Sequence, residues 1–100
     1  MPSFSLTKKA VADLREIGRY TEQQWGKEQR NKYLAQLDTC FHQVAADPLK
    51  GKDCSDIRKG YRKVNAGSHV IFYRQKNPAE IEIVRVLHER MDFDTKLASH

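Results

Sequence analysis

The residues most able to do chemistry in this chain form a charged and polar run, His-Glu-Arg-Met-Asp, at residues 88–92. The run follows an apolar stretch from Ile81 to Leu87, which predicts a strand in the interior of a sheet. Such a strand would bring an imidazole, a guanidinium and two carboxylates to one end of the sheet. These groups could move protons or bind a charged partner, but a solvated strand end with local ion pairs would have the same sequence.

Positive charge is concentrated in the middle of the chain. The formal net charge is +5, whereas the segment from Lys50 to Lys76 holds eight basic and two acidic residues, a net of +6. The rest of the chain therefore sums to −1. A localised positive surface predicts an acidic partner, either a nucleic acid or an acidic protein segment, and the charge pattern does not separate the two.

Composition and residue spacing exclude several classes of protein. A length of 100 residues predicts a single domain, residues 1–100, and 39% hydrophobic with 31% charged residues is typical of a globular chain. No apolar run approaches the ~18 residues of a membrane span, and the first residues lack the apolar region of a secretion signal. We therefore expect no membrane association and a cytoplasmic location. Cys40, Cys54 and the four histidines show no redox or metal spacing, so no metal or other cofactor is expected.

Periodicity predicts an α+β fold in the order β-α-α-β-β-β. Phe4 and Leu6 indicate a short opening strand, and a glycine at residue 26 separates two segments of helical period, which predicts an antiparallel helical hairpin. Short turns then separate three β-rich segments, which predicts an antiparallel meander that packs on the hairpin. The predicted helices are Lys8–Trp25 and about Glu28–Ala46, the strands are Ile57–Asn65, His69–Gln75 and Glu80–His88, and Asp92 could cap a last short helix that reaches Leu97.

Strict alternation along the last two strands leaves neither face of the sheet cleanly polar. One side must cover the helices, so the other is predicted to be a partly apolar, arginine-lined groove for a partner. The alternative is that long arginine stems merely cover apolar surface. The predicted faces are Val70, Phe72 and Arg74 against His69, Ile71 and Tyr73 in the middle strand, and Ile81, Ile83, Arg85 and Leu87 against Glu82, Val84, Val86 and His88 in the last.

Several short motifs occur in the order and at the spacing of these predicted elements. They are Ala-Asp-Leu at residues 12–14, Tyr-Thr at 20–21, Trp-Gly at 25–26, Ser-His-Val-Ile-Phe-Tyr at 68–73, and Arg-Val-Leu-His-Glu-Arg-Met-Asp at 85–92. In this order, and over nearly the whole chain, the sequence resembles the ParE toxins of the RelE/ParE toxin–antitoxin superfamily. The run at residues 85–92 is the most specific part of the resemblance.

The resemblance implies a cytoplasmic bacterial toxin that stabilises plasmids, arrests growth and is not an enzyme. It would inhibit DNA gyrase by stabilising the cleaved-DNA complex. A ParD-type antitoxin would neutralise it, with a helix along the toxin surface and an extended piece beside the sheet. We expect antitoxin contacts at Arg58, Tyr61, Arg62, Tyr73, Arg74 and Arg85, and target contacts at Trp25, His88, Arg90 and Met91.

Two of the target residues also have structural interpretations. Trp25 could be a lid on the core rather than a binding anchor, and Arg90 could form a surface ion pair with Glu89.

A second hypothesis is an enzyme, because the RelE branch of the superfamily cleaves messenger RNA at the ribosome. RNA cleavage needs a proton shuttle and cations on the phosphate. His88 could supply the former and Tyr73 could assist, with Lys50 or Lys52 and Arg58 or Arg62 as cations, although the charge of Glu89 opposes phosphate. A third hypothesis is a nucleic-acid binder, but no sequence-reading motif is present, so no direct sequence-specific binding is expected.

Overall fold

The computed structural model describes residues 3–91 and 93–98. Within those residues, no helix has both the length and the apolar character needed to cross a bilayer. The elements are β1 (Ser3–Leu6), α1 (Lys8–Trp25), α2 (Lys27–Ala46), β2 (Lys52–Asp53), β3 (Tyr61–Ala66), β4 (His69–Asn77), β5 (Glu80–His88) and α3 (Phe93–Ala98). The predicted α+β fold is therefore confirmed, with one additional short strand, β2. The predicted cap Asp92 lies outside the described residues.

The helical hairpin is fixed by its two boundary residues. Thr7 begins α1, since its hydroxyl accepts the N–H of Ala10 at 3.0 Å and donates to the carbonyl of Val84 in β5 at 2.8 Å. Gly26 alone joins the helices, with a φ of 92° that favours glycine, and its N–H donates to the Glu22 carbonyl at 2.8 Å. Because one residue links them, α1 and α2 fold back on each other.

The sheet has five strands in the order β1-β5-β4-β3-β2. Strands β2 to β5 are antiparallel to their neighbours, but β1 pairs parallel to β5 at one edge. The prediction of a purely antiparallel sheet is therefore incomplete. The first strand of the meander also starts later than predicted, at Tyr61, because turns occupy the preceding loop, with the N–H of Ile57 bonded to the Cys54 carbonyl at 2.9 Å.

A β-bulge in β5 changes which side chains share a face. Phe72 lies opposite Arg85, but the next residue of β4, Tyr73, lies opposite Ile83, so Val84 has no partner in the register. The prediction that the residues of β5 alternate strictly between the two faces of the sheet is therefore wrong beyond this point. The helix-side core contains Ile81, Ile83 and Val86, and the opposite core contains Val84 and Leu87.

Each face of the sheet has its own apolar core. The larger core packs β1 and the middle strands against α1 and α2, around Leu37 and Phe41. On the other face, Val70 and Phe72 are buried under Cys54 and under Leu97 of α3. The prediction of an uncovered apolar groove on this face is wrong, because α3 and the loop before β3 cover it.

Candidate partner-binding site

A groove of about 680 Å³ opens between the helical hairpin and the end of the sheet where β5 terminates. Helix α1 supplies one wall, α2 supplies the other, and the β3–β4 turn and the residues after β5 form the floor. We call this concavity the aromatic groove, after its main lining residues, Tyr20, Trp25, Tyr33, His69, His88 and Met91. Three of the four predicted target residues, Trp25, His88 and Met91, are thus brought together.

The rim of the aromatic groove carries large apolar side chains that are open to solvent. Trp25 is 72% exposed, Tyr20 57% and Met91 44%. Among the described residues, Leu49 is the one other large hydrophobic residue that is exposed. Trp25 is therefore not a lid on the core. Exposed aromatic and Met side chains around one concavity are typical of protein-binding surfaces.

A hydrogen-bonded cluster centred on Tyr33 joins the α2 wall of the aromatic groove to its floor. The Tyr33 hydroxyl lies 2.6 Å from Nδ1 of His69 and accepts the N–H of Ser68 at 3.0 Å. Burial lowers the pKa of His69, with a further contribution from His88, and burial raises the pKa of Tyr33. Both rings are therefore neutral at pH 7. The floor is polar but carries no charge from these two groups.

The run after β5 folds into a turn that places Met91 at the groove. The N–H of Met91 donates to the His88 carbonyl at 2.9 Å, and the N–H of Arg90 donates to Nδ1 of His88 at 3.1 Å. The N–H of Glu89 donates to the Ser68 carbonyl at 3.0 Å and ties this turn to the β3–β4 turn. Arg90 is exposed beside the groove rather than in its lining. Glu89 and Arg90 do not pair with each other, contrary to one of the predicted alternatives.

The residues proposed for RNA cleavage do not converge. Tyr73 is 1% exposed, and its hydroxyl accepts the Gly51 N–H at 2.8 Å and donates to the Pro48 carbonyl at 2.9 Å. His88 lies instead in the aromatic groove, opposite His69 in the sheet register. No lysine or arginine among residues 3–91 and 93–98 lines this groove. A phosphate at His88 would therefore meet no lining cation.

The six residues predicted to contact the antitoxin do not form one exposed surface. Tyr61 and Tyr73 are 5% and 1% exposed, and so neither tyrosine is available to a partner in this conformation. Arg85 is also turned inward, since its guanidinium pairs with Asp13 of α1 at 2.8 Å. Alternation did not predict these positions: Tyr61 lies in the core under α3, Tyr73 bonds to the loop before β2, and Arg85 pairs with α1. Their contact with an antitoxin stays a prediction.

The other three predicted antitoxin residues reach the surface, and Arg58 and Arg74 both lie beside Tyr61. Arg58 donates to the Leu97 carbonyl at 3.4 Å, and Arg62 donates to the Gly51 carbonyl at 2.8 Å. Arg74 pairs with Glu82 at 2.9 Å, and its side chain remains 42% exposed. Each guanidinium is partly occupied by the chain itself.

A second groove, of about 720 Å³, lies along the outer side of the hairpin and was not predicted from the sequence. We call it the hairpin groove. Its lining combines apolar side chains with cations, including Leu6, Leu14, Leu34, Arg15, Arg19 and Arg30. The sequence feature that could have predicted this groove is a basic pair at i and i+4 beside an apolar stripe on α1.

Comparison with known proteins gives a consistent result over nearly the full length. Residues 4–93 match the family described as "ParE toxin of type II toxin-antitoxin system, parDE". The chain is 45% identical over 94 residues to Toxin ParE1 of Mycobacterium tuberculosis (strain CDC 1551 / Oshkosh), which covers 94% of this chain and 96% of that protein. It is 40% identical over 92 residues to Toxin ParE1 of Caulobacter vibrioides, covering 92% and 94%. It is 37% identical over 98 residues to Toxin ParE of Escherichia coli, covering 98% and 95%.

A solved structure shares the fold at lower sequence identity. It is titled "Chromosomal ParDE TA system from P. aeruginosa", and it aligns with a TM-score of 0.75 at 23% identity over 88% of this chain and 96% of that one. The order of elements, the family match and the identity to three named toxins agree. This chain therefore belongs to the ParE toxin family of type II toxin–antitoxin systems.

Proposed function

We propose that this protein inhibits bacterial DNA gyrase by binding to it and stabilising its cleaved-DNA complex, and that a ParD-type antitoxin neutralises it. Both activities would operate in the cytoplasm, where gyrase acts on the chromosome. The observation that carries the proposal is the aromatic groove, whose rim exposes Tyr20, Trp25 and Met91 around the hydrogen-bonded pair of Tyr33 and His69. Because the chain belongs to a family of toxins, we expect this surface to bind the target of the toxin.

The aromatic groove is suited to holding a protein rather than to breaking bonds. Truncation of a central aromatic side chain commonly costs about 2 kcal/mol or more of binding free energy, whereas surrounding contacts contribute little. Trp25 lies at the end of α1, beside a one-residue link, so its position is set by the hairpin. We expect Trp25 and Met91 to anchor the target, and His88 and Arg90 to supply polar contacts at the edge.

The hairpin groove is the better candidate for the antitoxin helix. An amphipathic helix lays its apolar face in such a groove, and acidic residues on its flanks could pair with Arg15 and Arg19. Arg58, Arg62 and Arg74 remain candidates for contact with an extended segment beside the sheet. An antitoxin that orders on binding could thus cover the toxin without entering the aromatic groove.

The test is a pair of reactions with the purified toxin. Gyrase with ATP and relaxed plasmid should lose supercoiling activity and accumulate cleaved DNA, and prior addition of a ParD-type antitoxin should restore supercoiling. Translating ribosomes should retain intact messenger RNA. Unaltered gyrase together with cleaved messenger would refute the proposal in favour of the RelE-like ribonuclease. Growth arrest on expression does not discriminate, because either activity would cause it.

A further inference from the structure

Two lysines face each other at the β2 edge of the sheet. Lys52 of β2 is the register partner of Lys63 of β3. Residues directly opposite in an antiparallel pair point to the same face about 5 Å apart, and like charges in such a pair destabilise it. Lys59 is exposed in the loop between these strands. We call Lys52, Lys59 and Lys63 the lysine edge.

The described side chains do not neutralise the lysine edge. Among the carboxylates of residues 3–91, none forms an ion pair with any of the three ammonium groups. The nearest acid in β2, Asp53, lies opposite Arg62, and its carboxylate accepts the N–H of Ser55 at 2.8 Å. Asp56 is the other acid of this loop, so the edge remains net positive.

The surroundings of Lys63 show which face the edge presents. Its Nζ lies 5.9 Å from the ring centroid of Phe93, which places it beside α3 on the face away from the hairpin. The apolar surface on that face is already covered, since Leu97 is fully buried there. A bound peptide would therefore find no apolar pocket, and β2, with two residues, offers little for strand addition.

A phosphate backbone needs neither a pocket nor a strand edge, because its binding depends on charge. We propose that the lysine edge binds the backbone of duplex DNA without regard to sequence. The proposal rests on the proposed function, in which DNA lies next to the target enzyme. Lys63 lies opposite Phe72, while the aromatic groove lies at the other end of β3, where Ala66 meets His69. One toxin could thus touch enzyme and DNA with separate surfaces.

The test is the fluorescence anisotropy of a labelled duplex of about 20 base pairs, titrated with toxin over about 50 to 200 mM salt. We expect salt-dependent binding that Lys52→Glu/Lys63→Glu weakens about tenfold or more, with a salt slope smaller by about two. The matched control is Lys27→Glu/Lys32→Glu on α2, which makes the same change of net charge at two exposed lysines. The control should keep its affinity within about twofold.

Three results would overturn the proposal. The first is no salt-dependent binding by the unaltered toxin, and the second is equal losses in the two double variants. The third is tighter binding of a labelled polyglutamate peptide than of the duplex, with that binding lost in Lys52→Glu/Lys63→Glu, which would assign the edge to an acidic protein segment. If Lys52→Glu/Lys63→Glu does not fold by circular dichroism, Lys52→Glu/Lys59→Glu replaces it, since both of those lysines are exposed.

The two proposals fail separately. DNA binding is measured without gyrase, so loss of the gyrase effect with intact, edge-dependent DNA binding refutes the proposed function alone. Gyrase inhibition by a toxin that binds no duplex refutes the lysine-edge proposal alone.

Discussion

Asp13 of α1 and Arg85 of β5 form a two-pronged ion pair between residues 72 positions apart. The Nε and Nη2 atoms of Arg85 donate to the two carboxylate oxygens at 2.8 and 2.9 Å, and the N–H of Val86 donates to one of them at 2.9 Å. Both side chains are 13% exposed. The hydrogen bonds that Arg85 donates to Asp13 raise the pKa of Arg85 against the opposing effect of burial. The pair therefore remains charged and joins the hairpin to the sheet.

Asp13→Ala should destabilise the protein strongly. The substitution leaves the Arg85 guanidinium and the Val86 N–H without their acceptor in a largely buried position. Loss of one partner of a buried pair costs about 3–5 kcal/mol, and partial solvent access reduces our expectation to about 2–3 kcal/mol. Urea unfolding at neutral pH measures this as a lower midpoint with an unchanged denaturant dependence.

Glu16→Ala is the control for Asp13→Ala, because it also removes a carboxylate from α1. Glu16 pairs with Arg19 at 2.7 Å, but the two side chains are 69% and 64% exposed. The free energy of unfolding should change by no more than about 0.5 kcal/mol. Equal losses in the two variants would show that burial does not govern the contribution of the Asp13 pair.

The bounds of α1 and the candidate residues Trp25 and Met91 could be picked out from the sequence because their signals are local. Thr7 and Gly26 mark the ends of α1 within a few residues of the positions they cap, and the predicted bounds of that helix are those observed. Trp25 and Met91 stand out as large side chains beside a turn. Their exposure, however, depends on how the hairpin packs, and so the sequence left the two interpretations of Trp25 open.

The burial of Tyr61, Tyr73 and Arg85, three of the six residues predicted to contact the antitoxin, depends on non-local packing and register. The bulge at Val84 arises where β5 pairs with β4, and the alternation of residues in β5 does not predict it. In a strand without that bulge, the two-residue alternation would place Arg85 on the same face of the sheet as Ile81 and Ile83. Its partner Asp13 lies in a different element, and so a guanidinium assigned to a partner proved to hold the protein's own fold together.

Gly51→Ala should destabilise the attachment of β2, although the glycine lies in a loop. A Cβ at Gly51 would clash with the Tyr73 hydroxyl and would lie 2.8 Å from the Lys63 carbonyl oxygen. The same hydroxyl accepts the Gly51 N–H, so the backbone cannot move away without losing that bond. We expect a loss of about 1–3 kcal/mol by thermal or urea unfolding, as for an overpacked interior.

Gly18→Ala makes the same chemical change with the opposite expected sign. Its Cβ would lie 3.5 Å from Cδ1 of Leu34, an ordinary contact, and the residue is inside α1. Alanine in a helix interior is favoured over glycine by about 0.5–1 kcal/mol. A gain at residue 18 with a loss at residue 51 would support both arguments, and a gain at both would contradict the one for Gly51.

Protonation of His69 should destabilise the fold under mildly acidic conditions. Burial, and then His88, lower its pKa from the ordinary 6.5, while Asp13 and Glu89 act in the opposite direction. The unfolded chain therefore binds this proton more readily than the folded one. The contribution of His69 to the free energy of unfolding is complete above about pH 6.5 and is lost as the pH falls toward its lower folded-state pKa.

The measurement for His69 is the free energy of unfolding at several pH values between about 7.5 and 5.5. The unaltered protein should lose stability as the pH falls, and His69→Gln should show a shallower dependence. His42→Gln is the comparison, since it removes an imidazole that is 67% exposed on α2. A slope that persists in His69→Gln would assign the effect to another group.

Trp25→Ala should weaken gyrase inhibition without unfolding the toxin. Because the indole is 72% exposed, its removal costs the fold little, but it removes the largest anchor of the aromatic groove. We expect the half-inhibitory concentration in a supercoiling assay to rise about tenfold or more. Leu49→Ala is the matched control, since Leu49 is 69% exposed and lies outside the groove, and its inhibition should change less than about twofold. Similar losses in both variants would contradict a target site in the groove.

Arg15→Glu/Arg19→Glu should impair neutralisation while the toxin keeps its action on gyrase. Both arginines line the hairpin groove, where reversed charge would repel an acidic antitoxin helix. We expect the affinity for a ParD-type antitoxin to fall about tenfold or more, mainly through slower association at low salt. Surface plasmon resonance measures the rates, and Lys27→Glu/Lys32→Glu supplies the same change of charge away from the groove. If the two double variants lose affinity equally, net charge rather than this groove directs the antitoxin.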